Sequence, residues 1–269
     1  MNSTRAPAAS SPDLERLGAE YFTEHQQTTG SIGATIAKCL GKIVKITSGD
    51  AAFLVVGCGP KPQTMCDLKR LGFSVYGVEP IQSYVNSANE NLGEAVVRVG
   101  DAEHLPYDNE SMHAVIAESV LEHVDSPIDS LRETYRVLKH GGVGYFYTTN
   151  RFHFSWSGYN GEFRVPFFNW FPKVVQESYV YRHLHVDPSL ANFTPRPAVH
   201  WFCYSELCEL GRTAGFFKFY SMLELADADD PMVARSLWRR LFVNKVRSNP
   251  WLRGLALLQY GSSIFMYKR

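Results

Sequence analysis

The chain has 269 residues, of which 45% are hydrophobic and 20% are charged, a composition typical of one large globular domain or two small ones. Its 27 basic and 27 acidic residues cancel, so the overall charge argues against a general nucleic-acid binder. The five cysteines form no CxxC pair, which favours a reducing compartment. No signal peptide opens the chain and no apolar run reaches the roughly 18–20 residues of a membrane span, so we expect a cytoplasmic protein with a mobile leader at 1–18.

Between about residues 50 and 150, short β-rich runs alternate with helical segments. The apolar run AAFLVVG (51–57) predicts a strand buried on both faces, and PQTMCDLKRLG (62–72) predicts a helix with proline at its start and glycine at its end. Further strands are expected at 73–79, 95–100, 112–118 and 143–149, and further helices at 81–93 and 127–138, the last ended by Gly141-Gly142. This alternation predicts βαβ units, and therefore an α/β fold with a parallel sheet.

Residues 150–200 interrupt the alternation and are rich in aromatic residues, proline and histidine. Beyond them, SELCELGRTAG predicts a helix at 205–215, with Ser205 as its N-cap and Gly215 after its end. A sixth strand is expected at 216–223, a helical stretch at 232–248 and a last strand at 262–268.

Two glycines end the first predicted strand, where parallel sheets bind ligands. Gly57 and Gly59 allow close approach of a ligand or a positive φ. Glu79 closes the second strand 22 residues after Gly57, a spacing expected for a carboxylate that accepts hydrogen bonds from a ribose. A dinucleotide turn would have glycine where Pro62 stands, and Pro60 and Pro62 remove two N–H donors from a pyrophosphate. An adenosine cofactor without phosphate is therefore favoured over NAD.

Four segments, in this order, carry a family resemblance: GCGP, YGVEP, GDAEHLPYDNESMHAVIAESVLEHVDSP and LRETYRVLKHGGVGYF. They resemble class I S-adenosylmethionine-dependent methyltransferases of the type 11 group. The resemblance implies a Rossmann-like, doubly wound sheet of seven strands with a reversed last strand, and S-adenosyl-L-methionine as cofactor. On this basis we expect a cofactor-binding half with N-terminal helices at 19–149, a lid or acceptor insertion between strands five and six at 150–204, and the C-terminal part of the same domain at 205–269.

The resemblance also assigns cofactor contacts to ten residues. They are Val56, Gly57, Cys58, Gly59, Glu79, Pro80, Asp101, Ala102, Glu118 and Ser119. It implies that the turn from Val56 to Gly59 follows the methionine end and the ribose, and that Glu79 accepts from both ribose hydroxyls. Pro80, Asp101 and Ala102 are implied to contact the adenine, and the end of the fourth strand is implied to meet the methionine part and the acceptor.

Two positions depart from the family's pattern. Val55 stands where an acid is usual, two residues before the first glycine, and Lys61 stands where a third glycine is usual. The missing acid bears on cofactor affinity, whereas two glycines leave enough room for a cofactor without pyrophosphate. The two departures leave open an alternative, a non-catalytic binding subunit with a cofactor fold.

The acceptor side is expected in the aromatic insertion, which we interpret as a lid over an apolar or aromatic pocket. Candidate acceptor contacts are Tyr21, His153, Trp156, Trp170 and His200. His123, just after the fourth strand, is the candidate general base if the acceptor must lose a proton, and packing is the alternative role for this histidine.

Three further features leave alternatives open. His183, His185 and Asp187 alternate along the chain, which favours a surface or acceptor-facing cluster over a metal site, so no metal is expected. After Asp230 the chain has eight basic residues and no acidic one; they are Arg235, Arg239, Arg240, Lys245, Arg247, Arg253, Lys268 and Arg269. With Trp238 and Trp251, this segment is interpreted either as a peripheral membrane contact or as a helix that covers the sheet edge.

The function favoured by these residues is methyl transfer to an oxygen or nitrogen of a small, bulky apolar, aromatic or lipid-like acceptor. A methyltransferase for a glycan or sugar intermediate is the alternative, because aromatic lids also stack on sugar faces. A nucleic-acid methyltransferase is disfavoured by ESVLEH after the fourth strand, where an Asn/Asp-Pro-Pro-aromatic motif would be expected.

Overall fold

The computed structural model describes residues 32–46, 49, 51–153, 165–180, 182, 197–225, 227 and 237–269. In these residues the strands are β1 (Ala52–Val56), β2 (Ser74–Glu79), β3 (Val97–Val99), β4 (Met112–Glu118), β5 (Leu138–Tyr147), β6 (Lys218–Ser221) and β7 (Ser263–Tyr267). The helices are α1 (Ile32–Ile43), α2 (Gln63–Arg70), α3 (Gln82–Leu92), α4 (Pro127–Val137), α5 (Lys173–Tyr179), α6 (Tyr204–Ala214), α7 (Met222–Leu225), α8 (Leu237–Ser248) and α9 (Pro250–Tyr260).

The strands form one sheet in the order β3-β2-β1-β4-β5-β7-β6. The first five strands pair in parallel, whereas β7 is antiparallel to both β5 and β6. This arrangement confirms the predicted α/β, doubly wound sheet of seven strands with a reversed last strand. The strand order reverses between β1 and β4, and ligands of open α/β sheets bind at the carboxyl ends of the strands beside such a point.

Each face of the sheet carries its own apolar core, because successive side chains of a strand point to opposite faces. Phe53 and Val55 of β1 pack on one face against side chains of α1, α2 and α3. Leu54 and Val56 pack on the other face against side chains of α4 and α6. The apolar run of β1 is therefore a strand buried from both sides, as its composition predicts.

Two predicted helix ends are wrong. Helix α4 ends at Val137, because Leu138 turns to extended backbone with φ −69° and ψ 136° and begins β5 at once. The Gly141-Gly142 pair therefore lies inside β5 and does not end the helix; the pairing of β5 with β4 is irregular between its Leu138 and Val143 partners. The N-cap of α6 is Cys203 and not Ser205, and the Cys203 backbone N–H donates to Glu206 Oε2 at 2.8 Å.

Two predicted segments also differ near the C-terminal part of the described chain. The sixth strand ends at Ser221, so the expected strand at 216–223 is wrong at both ends, and Met222–Leu225 form a helical turn. The basic segment contains two helices, α8 and α9, separated by Asn249, whose Oδ1 accepts from the backbone N–H of Trp251 at 2.9 Å. No helix in the described ranges is long and apolar enough to cross a membrane.

Candidate active site

The predicted cofactor residues all lie at or just after the carboxyl ends of four adjacent strands. The turn at Val56–Gly59 begins with the last residue of β1, Glu79 and Pro80 lie at the end of β2, and Glu118 and Ser119 lie at the end of β4. Asp101 and Ala102 follow β3. In the sheet these strands lie side by side in the order β3-β2-β1-β4. Segments that are more than 60 residues apart in sequence therefore meet at one edge of the sheet, next to the reversal of strand order.

The two-glycine turn is a backbone feature that other residues would strain. Gly57 and Gly59 both have φ of 66°, in the left-handed region. A Cβ on Gly57 would lie only 2.7 Å from Cγ2 of Val120, which comes from the loop after β4. Gly57 therefore lets the β1 turn and the β4 loop approach each other closely.

The backbone N–H groups of this turn are already used inside the protein. The N–H groups of Gly57 and Cys58 donate to the Val78 carbonyl at 2.8 and 3.4 Å, and the Gly59 N–H donates to Glu79 Oε2 at 3.0 Å. Pro60 and Pro62 have no N–H to offer. A pyrophosphate, which needs several backbone donors at such a turn, would find few here, whereas an adenosine group without phosphate has no such need.

Glu79 is a buried acceptor that two backbone N–H groups hold in place. Its side chain is 5% exposed, Oε2 accepts from Gly59 and Oε1 accepts from the Ile81 N–H at 3.3 Å. Burial raises the pKa of Glu79 to about 7, and the two backbone donors counter part of this rise. Burial, and then the Glu79 charge, raise the pKa of the neighbouring Cys58 thiol to about 12, so Cys58 is a neutral lining residue and not a thiolate nucleophile.

Asp101 and Ala102 begin the loop after β3. Asp101 Oδ1 accepts from the Glu103 backbone N–H at 2.9 Å and lies 3.3 Å from His104 Nδ1. Ala102 is 9% exposed and packs in the core on the α4 side of the sheet. The loop therefore presents the Asp101 carboxylate at the ligand edge on a well-packed base.

The end of β4 brings Glu118 against the first turn of α2. Thr64 Oγ1 donates to Glu118 Oε2 at 2.6 Å, and burial raises the pKa of Glu118. Ser119 has φ of 54°, an uncommon conformation for a residue with a side chain, and its N–H donates to the Tyr147 carbonyl at 2.8 Å. Backbone strain of this kind is concentrated at functional sites, where the surrounding structure holds it in place.

The two departures from the family's pattern have different surroundings. Val55 is 4% exposed and packs in the core with residues of α1 and α2, so β1 brings no carboxylate to the site. Lys61 is exposed at the start of α2, where Pro62 is the N-cap.

Sequence reasoning missed a buried carboxyl group just after β4. Glu122 is 1% exposed, its Oε2 accepts from Thr148 Oγ1 at 2.7 Å, and burial raises its pKa to about 7. Its backbone carbonyl accepts from the N–H groups of Val199 and His200 at 2.8 and 3.3 Å. The position of Glu122 in the apolar stretch SVLEHV indicated burial. Its hydrogen-bond partners are distant in sequence and could not be identified from this stretch.

The two candidate histidines near β4 differ in how their rings are held. His200 Nε2 lies 2.9 Å from the Val124 carbonyl, which can only accept, so Nε2 carries the proton and Nδ1 is the acceptor nitrogen of the neutral ring. Burial, followed by the Lys173 charge, lowers the pKa of His200, which favours this neutral form. His123 lies in the turn after β4, and its N–H donates to the Val120 carbonyl at 2.9 Å.

Two other predicted acceptor residues, His153 and Trp170, lie in the described part of the insertion. His153 Nδ1 lies 3.1 Å from Gln259 Nε2 of α9, and Trp170 is 52% exposed beside Phe167, with ring centroids 5.7 Å apart. Tyr21 and Trp156 lie outside the described residues, as do His183, His185 and Asp187. In the described ranges no group of three His, Cys, Asp or Glu side chains is arranged to hold a metal ion.

The segment that contains the glycine turn and the ends of β1 to β4 matches a known protein family. A family model described as a methyltransferase domain matches residues 54–146, the span that holds β1 to β5 up to Phe146. This span of the chain matches the type 11 methyltransferase domain family. The resemblance drawn from the four sequence segments is confirmed.

Two relatives match over about a third of the chain. Demethylmenaquinone methyltransferase of Lactobacillus johnsonii is 33% identical over 109 residues, which are 38% of this chain and 44% of that protein. An uncharacterised 37.1 kDa protein in transposon TN4556 of Streptomyces fradiae is 35% identical over 99 residues, 35% of this chain and 28% of that protein. The chain thus spans less than half the length of these two relatives.

A solved structure extends the likeness of the methyltransferase domain to nearly the whole chain. The plantazolicin methyltransferase BpumL, in complex with a pentazolic desmethylPZN analogue and SAH, has a TM-score of 0.59 and 15% identity, and covers 97% of this chain and 93% of its own. At this identity the likeness concerns the fold. It agrees with the seven-stranded sheet and its antiparallel β7.

Proposed function

We propose that the chain is an S-adenosylmethionine-dependent methyltransferase that acts on an oxygen or nitrogen of a small, bulky acceptor of apolar, aromatic or lipid-like character. The observation that carries the activity is the Glu79 carboxylate held beside the two-glycine turn, inside the segment that matches the methyltransferase domain. The Lactobacillus relative and the BpumL complex, by their names, are methyltransferases, which supports the same reaction class.

The site's own residues fit this cofactor. Each Glu79 oxygen already accepts one backbone N–H, and a carboxylate oxygen has room for a second donor, so both ribose hydroxyls can still bind there. Asp101 lies one strand further along the edge, where it would accept from the adenine amino group, with Ala102 beneath the ring. S-adenosylmethionine supplies an electrophilic methyl group on its sulfonium, which an acceptor oxygen or nitrogen receives in line with the C–S bond.

Two histidines near the end of β4 are candidates for the general base that removes the acceptor's proton. His200 presents Nδ1 as an acceptor nitrogen, because Nε2 is committed to the Val124 carbonyl. His123 lies after the same strand and is the alternative base. A base is needed only where the acceptor must lose its proton before or during transfer, as a phenol or an ammonium group does.

The acceptor class is supported by one face of the insertion. On the segment 165–180, Phe168 and Val180 are buried against Trp201, while Phe167, Trp170 and Phe171 are 44–52% exposed. Two-sided apolar character of this kind is expected where a segment packs on the domain with one face and meets an apolar ligand with the other. We also propose a peripheral membrane contact through α9. Two apolar side chains of this helix support it, because Trp251 and Leu255 are 85% and 63% exposed.

Calorimetric titration with S-adenosylmethionine and with NAD tests the cofactor. The wild type is expected to bind S-adenosylmethionine and not NAD, and Glu79→Gln should weaken binding by about tenfold or more, because a neutral amide replaces the charged acceptor. Glu90→Gln, at an exposed carboxylate of α3, is the matched control and should leave the affinity unchanged. NAD binding, or no binding of S-adenosylmethionine, would contradict the proposal.

An acceptor screen then follows the release of S-adenosylhomocysteine from mixtures of phenols, amines, lipid precursors and sugar intermediates. Turnover of apolar aromatic compounds is expected, and turnover of sugars alone would replace the proposed acceptor class. A protein that binds the cofactor but methylates none of these classes would support the binding-subunit alternative.

A further inference from the structure

Helix α9 ends at the same edge of the sheet as the proposed cofactor site. Strand β7 is antiparallel and begins with Ser263 opposite Tyr147, the last residue of β5. The helix that precedes β7 therefore reaches the edge at which the parallel strands end. There Asn150, which follows β5, donates from Nδ2 to the Leu258 carbonyl of α9 at 3.0 Å. This hydrogen bond fixes the C-terminal end of α9 beside the residues after β5.

The first half of α9 is held at the end of β6. Arg253 pairs with Glu224 of α7 at 3.1 Å, and α7 directly follows β6. From the end of α8, Arg247 Nε donates to the Leu223 carbonyl of α7 at 2.7 Å. Because β5, β7 and β6 are neighbours in the sheet, α9 extends along the ligand edge from β6 to β5. It continues the row of strand ends at which the cofactor residues lie.

The outward face of α9 is apolar, whereas a surface helix usually has a polar outward face. Trp251, Leu255 and Leu258 are 85%, 63% and 47% exposed. Their spacing of four and then three residues places them on one stripe of the helix, together with the exposed Gly254. Ala256, on the other side of the helix, is buried. Such a face is typical of helices that lie in a membrane interface.

The charge near this face favours an anionic partner. All 27 acidic residues lie at or before Asp230, whereas eight of the 27 basic residues follow it. Helix α8, next to α9, has no acidic residue and four basic ones, Arg239, Arg240, Lys245 and Arg247. A second copy of the chain, bound face to face on α9, would bring two such helices together, and like charges oppose this. An anionic lipid surface attracts them and also covers the apolar stripe.

The apolar face of α9 adjoins the acceptor side of the site. Phe152 is 44% exposed, and its N–H donates to Oδ1 of Asn150, the residue that binds the end of α9, at 3.0 Å. The next residue, His153, is a candidate acceptor contact, and its Nδ1 lies 3.1 Å from Gln259 Nε2 of α9. A surface that covers α9 therefore lies next to residues expected to contact the acceptor.

We infer that α9 docks on an anionic lipid bilayer and turns the ligand edge of the sheet towards it, so that the site takes its acceptor from the lipid phase. The inference rests on the proposed function, and it specifies a lipid-soluble acceptor and the bilayer as partner. Trp251, Leu255 and Leu258 enter the boundary between headgroups and acyl chains, and the cationic helix α8 lies near the headgroups.

Flotation with vesicles measures the docking, with phosphatidylcholine alone or in equal parts with phosphatidylglycerol. The wild type is expected to bind the anionic vesicles about tenfold more tightly than the neutral ones, and added salt should weaken this binding. Trp251→Ser/Leu255→Ser should weaken binding to anionic vesicles by about tenfold. Phe217→Ser is the matched control, because Phe217 is 55% exposed before β6, at the opposite edge of the sheet; it should change binding by less than about twofold.

Phe152→Ser tests the orientation, because Phe152 adjoins the end of α9 on the acceptor side. It should weaken binding to anionic vesicles by about threefold. No effect of this variant would overturn the orientation and the lipid route of the acceptor.

Three results would overturn the docking itself. They are no binding of the wild type to either vesicle, equal binding to both vesicles, and an equal loss in the Phe217→Ser control. Sedimentation velocity without vesicles gives a further check. A wild-type dimer that Trp251→Ser/Leu255→Ser converts to a monomer would assign α9 to a second copy of the chain, and this would also overturn the inference.

Calorimetry with S-adenosylhomocysteine, in the absence of vesicles, separates this inference from the proposed methyl transfer. Trp251→Ser/Leu255→Ser should bind S-adenosylhomocysteine as the wild type does. A wild type that binds S-adenosylhomocysteine but no vesicles would overturn the inference and leave the methyltransferase proposal standing. A wild type that binds anionic vesicles but not S-adenosylhomocysteine would overturn the methyltransferase proposal and the lipid route, and would support the docking alone.

Discussion

At the scale of single residues, Gly57 illustrates how one position combines two constraints. Its φ of 66° is unfavourable for any residue with a side chain, and its Cβ position is 2.7 Å from Val120 Cγ2. Gly93, at the end of α3, has φ of 70° but nothing within 4 Å of its Cβ position. Gly93 therefore has the unfavourable φ alone, whereas Gly57 combines it with close packing.

We expect Gly57→Ala to lower the free energy of unfolding by about 2–4 kcal/mol, since strain and a steric clash add, and Gly93→Ala by only about 1 kcal/mol. Urea unfolding measures both values. The double variant Gly57→Ala/Val120→Ala should recover part of the loss, because it removes the clashing methyl group. Equal losses at the two glycines would show that Val120 does not restrict the turn.

The residues of the site differ in how far sequence could identify them. Gly57, Gly59 and Glu79 follow predicted strands at a recognisable spacing, so their meeting at one edge follows from the parallel sheet alone. Thr64 and Glu122 were missed, because each acts through a contact with a residue 26 to 54 positions away. Such contacts depend on side-chain packing, on which hydrophobic periodicity carries no information.

At the scale of elements, helix α4 supports the loop that presents Asp101. Arg136 donates to the Leu105 and Tyr107 carbonyls at 2.9 and 2.8 Å, and it also pairs with Glu133 at 2.7 Å. Glu133 Oε2 in turn accepts from the Leu105 N–H at 2.9 Å. Helix α4 therefore supplies hydrogen-bond partners to several backbone groups of the loop after β3.

Arg136→Ala should lower the free energy of unfolding by about 2 kcal/mol and weaken S-adenosylmethionine binding, because three loop carbonyl and side-chain acceptors lose their donor. Arg132→Ala, on the same helix, is the control, since Arg132 is exposed and contacts Asp129. Thermal unfolding and calorimetry report the two effects. Similar results for both arginines would mean that the loop holds its conformation without α4.

Element boundaries were the least predictable part of the fold. Strand β4 was predicted at 112–118 and is found at Met112–Glu118, because its apolar run ends at a charged residue and a turn. The Gly141-Gly142 pair was predicted to end α4, but the backbone leaves the helix at Leu138 to pair with Met112 of β4. Tertiary pairing therefore decided that boundary against the local glycine signal.

At the scale of the whole molecule, β7 joins β6 to the five parallel strands. It pairs with β5 on one side and β6 on the other, and Phe265 at its centre is fully buried with its ring centroid 4.7 Å from that of Tyr145. Phe265→Ala should lower the free energy of unfolding by about 3–5 kcal/mol, because it leaves a cavity in the apolar core on the face of the sheet that α1 covers.

Phe217→Ala is the matched control for this substitution. Phe217 is 55% exposed beside β6, so the change should cost less than about 1 kcal/mol in the same urea experiment. A small effect of Phe265→Ala would mean that β7 contributes little to the cohesion of the sheet.

The position of β7 also sets an order of events during synthesis of the chain. Strand β6 is made before β7, yet among the described strands β6 pairs with β7 alone. It therefore has none of these strands to pair with while the next 40 or so residues are being translated. During that interval β5 offers an open edge that other chains can recognise. We therefore expect the interval between β6 and β7 to be the stage at which the nascent protein depends most on chaperones.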